Sequence, residues 1–301
     1  GNFLQATDVA GVISVKFVFQ LFAGENCFIG IDTSNYTTSI AYFDGTEGMN
    51  VSSLLPVKEG QLGLRQSDAV FAHIKSLPEL SGRLFSHTDL GQIAAIGVST
   101  RPRAVEGSYM PCFMVGYSHA KLLSDQLNVP LVEVSHQQGH VAASLWSAGR
   151  LDLMDVPHLA WHLSGGTTEL LSLVDGKLTL LGGTLDLHAG QVVDRTGVAL
   201  GLPFPAGPHL EKLAVQGHSE ARLTMTTRDG GLNCHLSGAE TQVQRWIQSG
   251  ELSREDIASY NMALVTLGVL EAVPLFNVLS VLEGKVLNEA GESTDMIEGE
   301  I

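Results

Sequence analysis

Apolar residues in this chain come in short runs that alternate with stretches of helical period, the pattern of repeated βα units. The run Cys27–Asp32 predicts a strand, a Thr/Ser-rich turn follows, and Ser39–Phe43 predicts a second strand that closes at Asp44-Gly45. Gln66–Leu77 has helical spacing, Ile93–Val98 reads as a strand, and Phe113–Leu127 reads as a helix stopped by Asn128 and Pro130. Leu131–Val134 is a further strand. Leu159–Leu163 and Glu169–Val174 predict another hairpin, Gln191–Leu200 a helix, and Pro203, Pro205 and Pro208 a loop.

Two of these stretches repeat one another. Phe28-Ile29-Gly30-Ile31-Asp32-Thr33-Ser34 leads into Thr37-Thr38-Ser39-Ile40 and ends at Asp44-Gly45. Leu159 through His162-Leu163-Ser164-Gly165-Gly166 leads into Thr167-Thr168-Glu169-Leu170 and ends at Asp175-Gly176. The period is domain-sized, which predicts two related halves rather than a solenoid. In such a hairpin, backbone N–H groups and hydroxyls converge on an anion, and Gly165 and Gly166 allow backbone angles and close approach that side chains would block. Two of them facing each other would grip a polyphosphate from both sides; two ordinary hairpins with polar tips is the alternative.

Composition narrows the function. With 301 residues the chain has room for about two domains, each with its own core. Its net charge of -15, from 17 Lys+Arg against 32 Asp+Glu, opposes nucleic-acid binding by the bare chain, so such a role needs a basic partner or a local basic patch. Cys27, Cys112 and Cys234 have neither metal-like spacing nor an even count, which points to a reducing compartment and a cytoplasmic location. Residues 1–26 include an apolar run from Val9 to Ala23, but Lys16 and Gln20 interrupt it and Asp8 precedes it. That fits neither a signal peptide nor a membrane span, and the segment reads as an atypical N-terminal extension.

Ser135-His136-Gln137-Gln138-Gly139-His140 follows a strand and carries a capping-box pattern, so a helix starts there. Four positions apart, His136 and His140 share a helix face and can turn both imidazoles to one ion; helix-capping histidines without a metal are the plain alternative. Two ligands under-coordinate a metal, so a third must come from elsewhere. A zinc peptidase would need Glu after the first His, and Gln137 cannot accept a proton, which argues against that chemistry. His158, His188 and His209 read as structural, whereas His162 abuts the second hairpin's turn.

Taken together, these motifs resemble the universal tRNA threonylcarbamoyladenosine synthase family, also known as the glycoprotease or O-sialoglycoprotein endopeptidase family. The resemblance runs from about Cys27 to about Thr241. It rests on Gly30-Ile31-Asp32-Thr33-Ser34, His136-xxx-His140, Leu163-Ser164-Gly165-Gly166-Thr167, Asp186 through Asp194, and Leu202-Pro203-Phe204-Pro205-Ala206-Gly207-Pro208. Leu236-Ser237-Gly238-Ala239-Glu240-Thr241 is a weaker match to the family's Ser-Gly-Leu-Lys-Thr. The resemblance implies an α/β, duplicated actin/Hsp70/sugar-kinase-like (ASKHA) architecture with a nucleotide cleft between two lobes, here residues 27–134 and 135–301. It also implies that His136 and His140 hold one divalent metal, iron or zinc. An adenylate or ATP-type ligand would bind at His162, Leu163, Ser164, Gly165, Gly166, Asp194 and Gly207, with Asp32, Thr33 and Ser34 in the first hairpin. The implied activity is transfer of a threonylcarbamoyl group from its adenylate to an anticodon-adjacent adenosine of tRNA, aided by partner protein subunits and without a membrane.

Several positions depart from the family. Tyr36 and Thr37 stand where the family has an acidic pair after the first Ser. Arg101-Pro102-Arg103-Ala104-Val105-Glu106-Gly107-Ser108-Tyr109 replaces a Gly-Pro-Gly-rich stretch. The carboxy-terminal segment that carries the family's metal-binding Asp is not recognisable, so the end of the second lobe reads as incomplete or divergent. A catalytically degenerate nucleotide-binding scaffold of the same fold is therefore the alternative to a transferase. A sugar or acetate kinase, with Asp32 as the candidate base, rests on fold analogy alone.

Overall fold

The computed structural model describes residues 27–44, 47–56, 64–86, 93–218, 226–228, 232–265, 285–287 and 293–295. The expected extension at residues 1–26 and most of the chain beyond 265 lie outside them. The chain divides into two compact units, Gly1–Met154 and Asp155–Ile301.

The first unit is a five-stranded mixed sheet. β1 (Cys27–Thr33), β2 (Thr37–Phe43) and β3 (Gly48–Leu54) form an antiparallel meander; β4 (Ile93–Arg101) and β5 (Leu131–Ser135) extend it in parallel, giving the order β3-β2-β1-β4-β5. Central β1 is buried along its whole length, which explains a nearly unbroken apolar run in place of alternation. α1 (Gln66–Phe85) packs on β2 and β3, and α2 (Phe113–Leu127) packs on β4 and β1. Their apolar faces meet the sheet in one cluster around Ile29, Ile31, Ile96, Val98, Leu77, Leu80 and Leu84. α1 runs through Pro78 and past the predicted end at Leu77. Burying Leu80 and Leu84 beyond the proline is worth roughly 1.5–3 kcal/mol each, enough to offset the cost of about 3 kcal/mol for a proline inside a helix. α3 (His136–Ser147) follows β5 directly.

The second unit holds an antiparallel meander of β6 (His158–Leu163), β7 (Thr168–Val174) and β8 (Lys177–Gly183). α4 (Ala189–Ala199), α5 (Gly207–Ala214), α6 (Ser237–Ser249) and α7 (Arg254–Ala263) surround a separate core that includes Val192, Leu210, Val243 and Ile257. β9 (Thr226–Arg228) pairs with β10 (Asn233–His235), and β11 (Lys285–Leu287) with β12 (Ser293–Asp295). The predicted proline loop is shorter than expected. α5 begins inside it because Pro208, with its fixed φ and missing N–H, suits the first turn of a helix.

The repeat legible in the sequence is a repeat in space. The Ser34 N–H donates to the Thr37 carbonyl at 3.1 Å, and the Ser164 N–H donates to the Thr167 carbonyl at 2.7 Å. The second threonine of each Thr-Thr pair is buried and ties its hairpin to the next helix. Thr38 Oγ1 meets His73 Nδ1 of α1 at 2.7 Å, and Thr168 Oγ1 accepts the Ala189 N–H of α4 at 2.8 Å.

Candidate functional site

In the first unit, three elements converge at the carboxyl ends of the parallel strands, where α/β folds collect their ligands. β1 brings Asp32, β4 brings Ser99, and the first turn of α3 brings His136. The helix starts where the capping box requires: the Ser135 hydroxyl accepts the Gln138 N–H at 3.2 Å, and Gln138 Oε1 accepts the Ser135 N–H at 2.8 Å. Asp32, only 1% exposed, accepts a hydrogen bond from His136 Nδ1 at 2.9 Å and another from the Ser99 side chain. Because the carboxylate accepts the Nδ1–H hydrogen bond, a neutral His136 carries its lone pair on Nε2. That nitrogen lies 2.8 Å from His140 Nε2, with the two rings at 78° to each other.

Burial by itself would raise the Asp32 pKa. The charge and hydrogen bond of His136, the Ser99 hydrogen bond and the charge of His140 outweigh it and hold the carboxyl below its usual range. For His136, burial pulls the pKa down, but the charge and hydrogen bond of Asp32 prevail and raise it. Burial, with the Asp32 charge, pushes the nearby Cys112 thiol up to about 11, which makes it inert as a nucleophile.

Two converging imidazoles, one backed by a carboxylate, suit a borderline divalent ion such as iron or zinc. Asp32 stands behind His136 instead of beside it. Among the described residues no cluster of three or more His, Cys, Asp or Glu is arranged to hold a metal. The other first-hairpin candidates are engaged within the unit. The Thr33 hydroxyl donates to the Cys112 carbonyl at 2.9 Å and accepts the Gly116 N–H at 3.1 Å, which anchors α2 to β1. Ser34 is buried in its own turn, where its hydroxyl reaches the Thr37 carbonyl at 3.4 Å.

In the second unit, His162 and Leu163 end β6, and Leu163 packs against the helical core. The Ser164 hydroxyl accepts the Gly166 N–H at 3.2 Å. Neither Gly165 nor Gly166 has a positive φ, so backbone freedom is not what those positions use. What they supply is clearance: a Cβ on either would meet nothing within 4 Å. Gly190, which the sequence placed only inside the Asp186–Asp194 motif, faces this turn. Its N–H donates to the Ser164 carbonyl at 3.0 Å, and a Cβ there would lie 2.5 Å from Gly165 N. The first turn of α4 is thereby pressed against the Ser-Gly-Gly turn. Asp194, farther along α4, accepts the Ala206 N–H at 2.9 Å and so holds the residue just before Gly207.

A carboxylate that the sequence marked only as the start of a motif ties the approach to α4 to β10 and α6. Asp186 accepts hydrogen bonds from Leu187 N (2.5 Å), Leu236 N (2.8 Å), Ser237 Oγ (2.5 Å) and His235 Nδ1 (3.2 Å). Burial would raise its pKa, but the Ser237 hydroxyl and the backbone N–H groups outweigh that and hold it well below the usual carboxylate range. Neither Asp186 nor Gly190 stands out by spacing, since their partners lie 51 and 26 positions away.

Comparison with known proteins agrees with the motifs. Residues 59–270 match the model of the TsaD family, described as tRNA N6-adenosine threonylcarbamoyltransferase. A protein of that name from Persephonella marina is 31% identical over 269 residues, covering 84% of this chain and 75% of the relative. Another from a Sulfurihydrogenibium species is 34% identical over 256 residues, covering 81% and 73%. Among solved structures, YeaZ from Pseudomonas aeruginosa aligns over 83% of this chain and 99% of its own, at 14% identity and a TM-score of 0.32.

Proposed function

The chain belongs to the tRNA N6-adenosine threonylcarbamoyltransferase family, and on that premise we propose that it transfers a threonylcarbamoyl group to an anticodon-adjacent adenosine of tRNA. The donor is the threonylcarbamoyl adenylate. The adenosine N6 forms a bond to the carbamoyl carbon, the carbon–oxygen bond to the phosphate breaks, AMP leaves with the electron pair, and the N6 proton is lost to solvent.

The observation that supports this reading best is the His136–His140 pair with Asp32 behind it. Asp32 holds His136 in the tautomer whose Nε2 can donate a lone pair, and His140 brings a second nitrogen to the same point. One divalent iron or zinc bound there would polarise the reacting carbonyl and the phosphate oxygens as a Lewis acid. The turn from Ser164 to Gly166, kept clear of side chains, would receive the adenylate, with Asp194 and Gly207 as further contacts. Partner subunits would supply the basic surface that a chain of net charge -15 lacks toward tRNA. No described helix is long and apolar enough to cross a membrane, and the cytoplasm is the compartment this reading expects.

The test is incorporation of labelled threonine into tRNA from threonylcarbamoyl adenylate, comparing wild type with His136→Ala/His140→Ala. The proposal requires incorporation by wild type and its loss in the double variant. Tyr36, exposed at a position where the resemblance implies an acidic residue, favours a second reading, a nucleotide-binding scaffold. That reading would gain if wild type bound AMP yet labelled no tRNA in the presence of a cell extract.

A further inference from the structure

Arg101 is the last residue of β4, and its register partner across the parallel pair is Ser135, the residue immediately before His136. Neighbouring strands lie about 4.8 Å apart and consecutive Cα atoms about 3.8 Å, which puts Arg101 within one side chain's length of His136. The segment that follows is fastened in place. The Gln137 N–H of α3 donates to the Pro102 carbonyl at 3.1 Å, and the Arg103 N–H donates to the Ser108 hydroxyl at 3.0 Å. Arg101 therefore sits on a strand end tied directly to the helix that carries the histidine pair.

Its charge is unmatched among the described residues. Among the described residues the Arg101 guanidinium makes one hydrogen bond, from Nη1 to the Thr100 hydroxyl at 3.2 Å, and meets no carboxylate. The chain has nearly two acidic residues for each basic one, and Arg101 is only partly exposed, so an unpaired guanidinium here is informative. The N-terminus of α3 offers little in competition: the Gln137 N–H is taken by Pro102, and the Gln138 N–H by the Ser135 hydroxyl. The Arg101 guanidinium is a donor within reach of that helix start, and its planar fork suits two oxygens of a phosphate.

We infer that Arg101 binds the phosphate of a mononucleotide seated beside His136 and His140. The inference rests on the proposed transferase reading only for the identity of that nucleotide. It makes Arg101 a specificity determinant of this chain.

The experiment is calorimetric titration of the purified chain with AMP and with adenosine, which differ by the phosphate alone. Wild type is expected to bind AMP more tightly than adenosine. Arg101→Met is expected to reduce AMP affinity by about ten- to a hundredfold, to leave adenosine affinity and thermal unfolding unchanged, and so to abolish the preference. Arg101→Lys, which keeps the charge without the fork, is expected to fall between. Equal AMP affinity in wild type and Arg101→Met overturns the inference, as does a wild type that binds neither ligand or does not distinguish them. A tRNA anticodon stem-loop is the third titrant. If Arg101→Met weakens only RNA binding, the phosphate belongs to the RNA backbone and the inference is wrong. Discrimination that persists without threonine transfer to tRNA retains Arg101 and removes the transferase reading; transfer undiminished in Arg101→Met does the reverse.

Discussion

His136 Nδ1 and Asp32 Oδ1 meet at 2.9 Å although 104 positions separate them in the chain. The contact joins the end of the central strand to the start of α3, and it decides which nitrogen of His136 faces His140. A carboxylate in this place tunes a ligand instead of acting as one.

Replacing that carboxylate tests its role. Asp32→Asn keeps the shape and removes the charge, and we expect zinc affinity to fall by about 10–100-fold. Competition with a chromophoric chelator reads this directly, with circular dichroism to confirm folding. Unchanged affinity would mean that Asp32 serves packing alone.

The Ser-Gly-Gly turn separates packing from binding. Gly190→Ala drives a Cβ into the backbone of Ser164 and Gly165 and should cost about 1–3 kcal/mol in urea unfolding. Gly166→Ala projects into open space, so its stability should stay within about 0.5 kcal/mol of wild type, while AMP binding weakens. A Gly166→Ala protein that binds AMP as well as wild type would show that the clearance is not used by this ligand.

Asp186 gives the second unit an acid-sensitive clamp. Its folded pKa lies below the ordinary value of 3.8, so the native state favours the ionised form more than the unfolded chain does. The associated stability is complete above about pH 5 and is lost as pH falls through 3.8 toward the folded pKa. Asp186→Asn should cost about 1 kcal/mol at pH 7, the exposure of Asp186 to solvent screening part of the effect, and progressively less as the pH approaches 3. Parallel unfolding curves for the two proteins across that range would refute the clamp.

His73 gives the first unit a switch at higher pH. The side chain is fully buried with Nδ1 against Thr38 Oγ1, and burial depresses its pKa below 6.5 despite the opposing influence of the Ser34 backbone and the Asp32 charge. A depressed imidazole pKa means that the unfolded chain takes up the proton first. The first unit should therefore hold its stability above pH 6.5 and lose it as pH falls below that value. His73→Gln removes the titration, and its denaturation midpoint should change less between pH 7.5 and 5.5 than that of wild type.

The readable parts of this protein are those whose physics is local. The capping box needs only Ser135 and Gln138, three residues apart, and the structure closes both of its hydrogen bonds. The paired Ser…Thr-Thr hairpins are written as matching strings, and each folds to the same serine-to-threonine turn. Helix ends were less legible: α1 overran Pro78 because leucines beyond it reach the sheet, a gain that no window of sequence contains.

By itself the sequence determined the α/β class, the two matching hairpins and the helix that carries His136 and His140, because period, turn chemistry and capping act within a few residues. Tertiary structure alone decided that Asp32 turns its carboxylate to His136, that Thr33 spends its hydroxyl on α2, and that Asp186 gathers β10 and α6. It also set Arg101 in register with Ser135, the residue before His136. Those outcomes depend on strand order and register, which bring together groups tens of positions apart and fix which face of each strand they share.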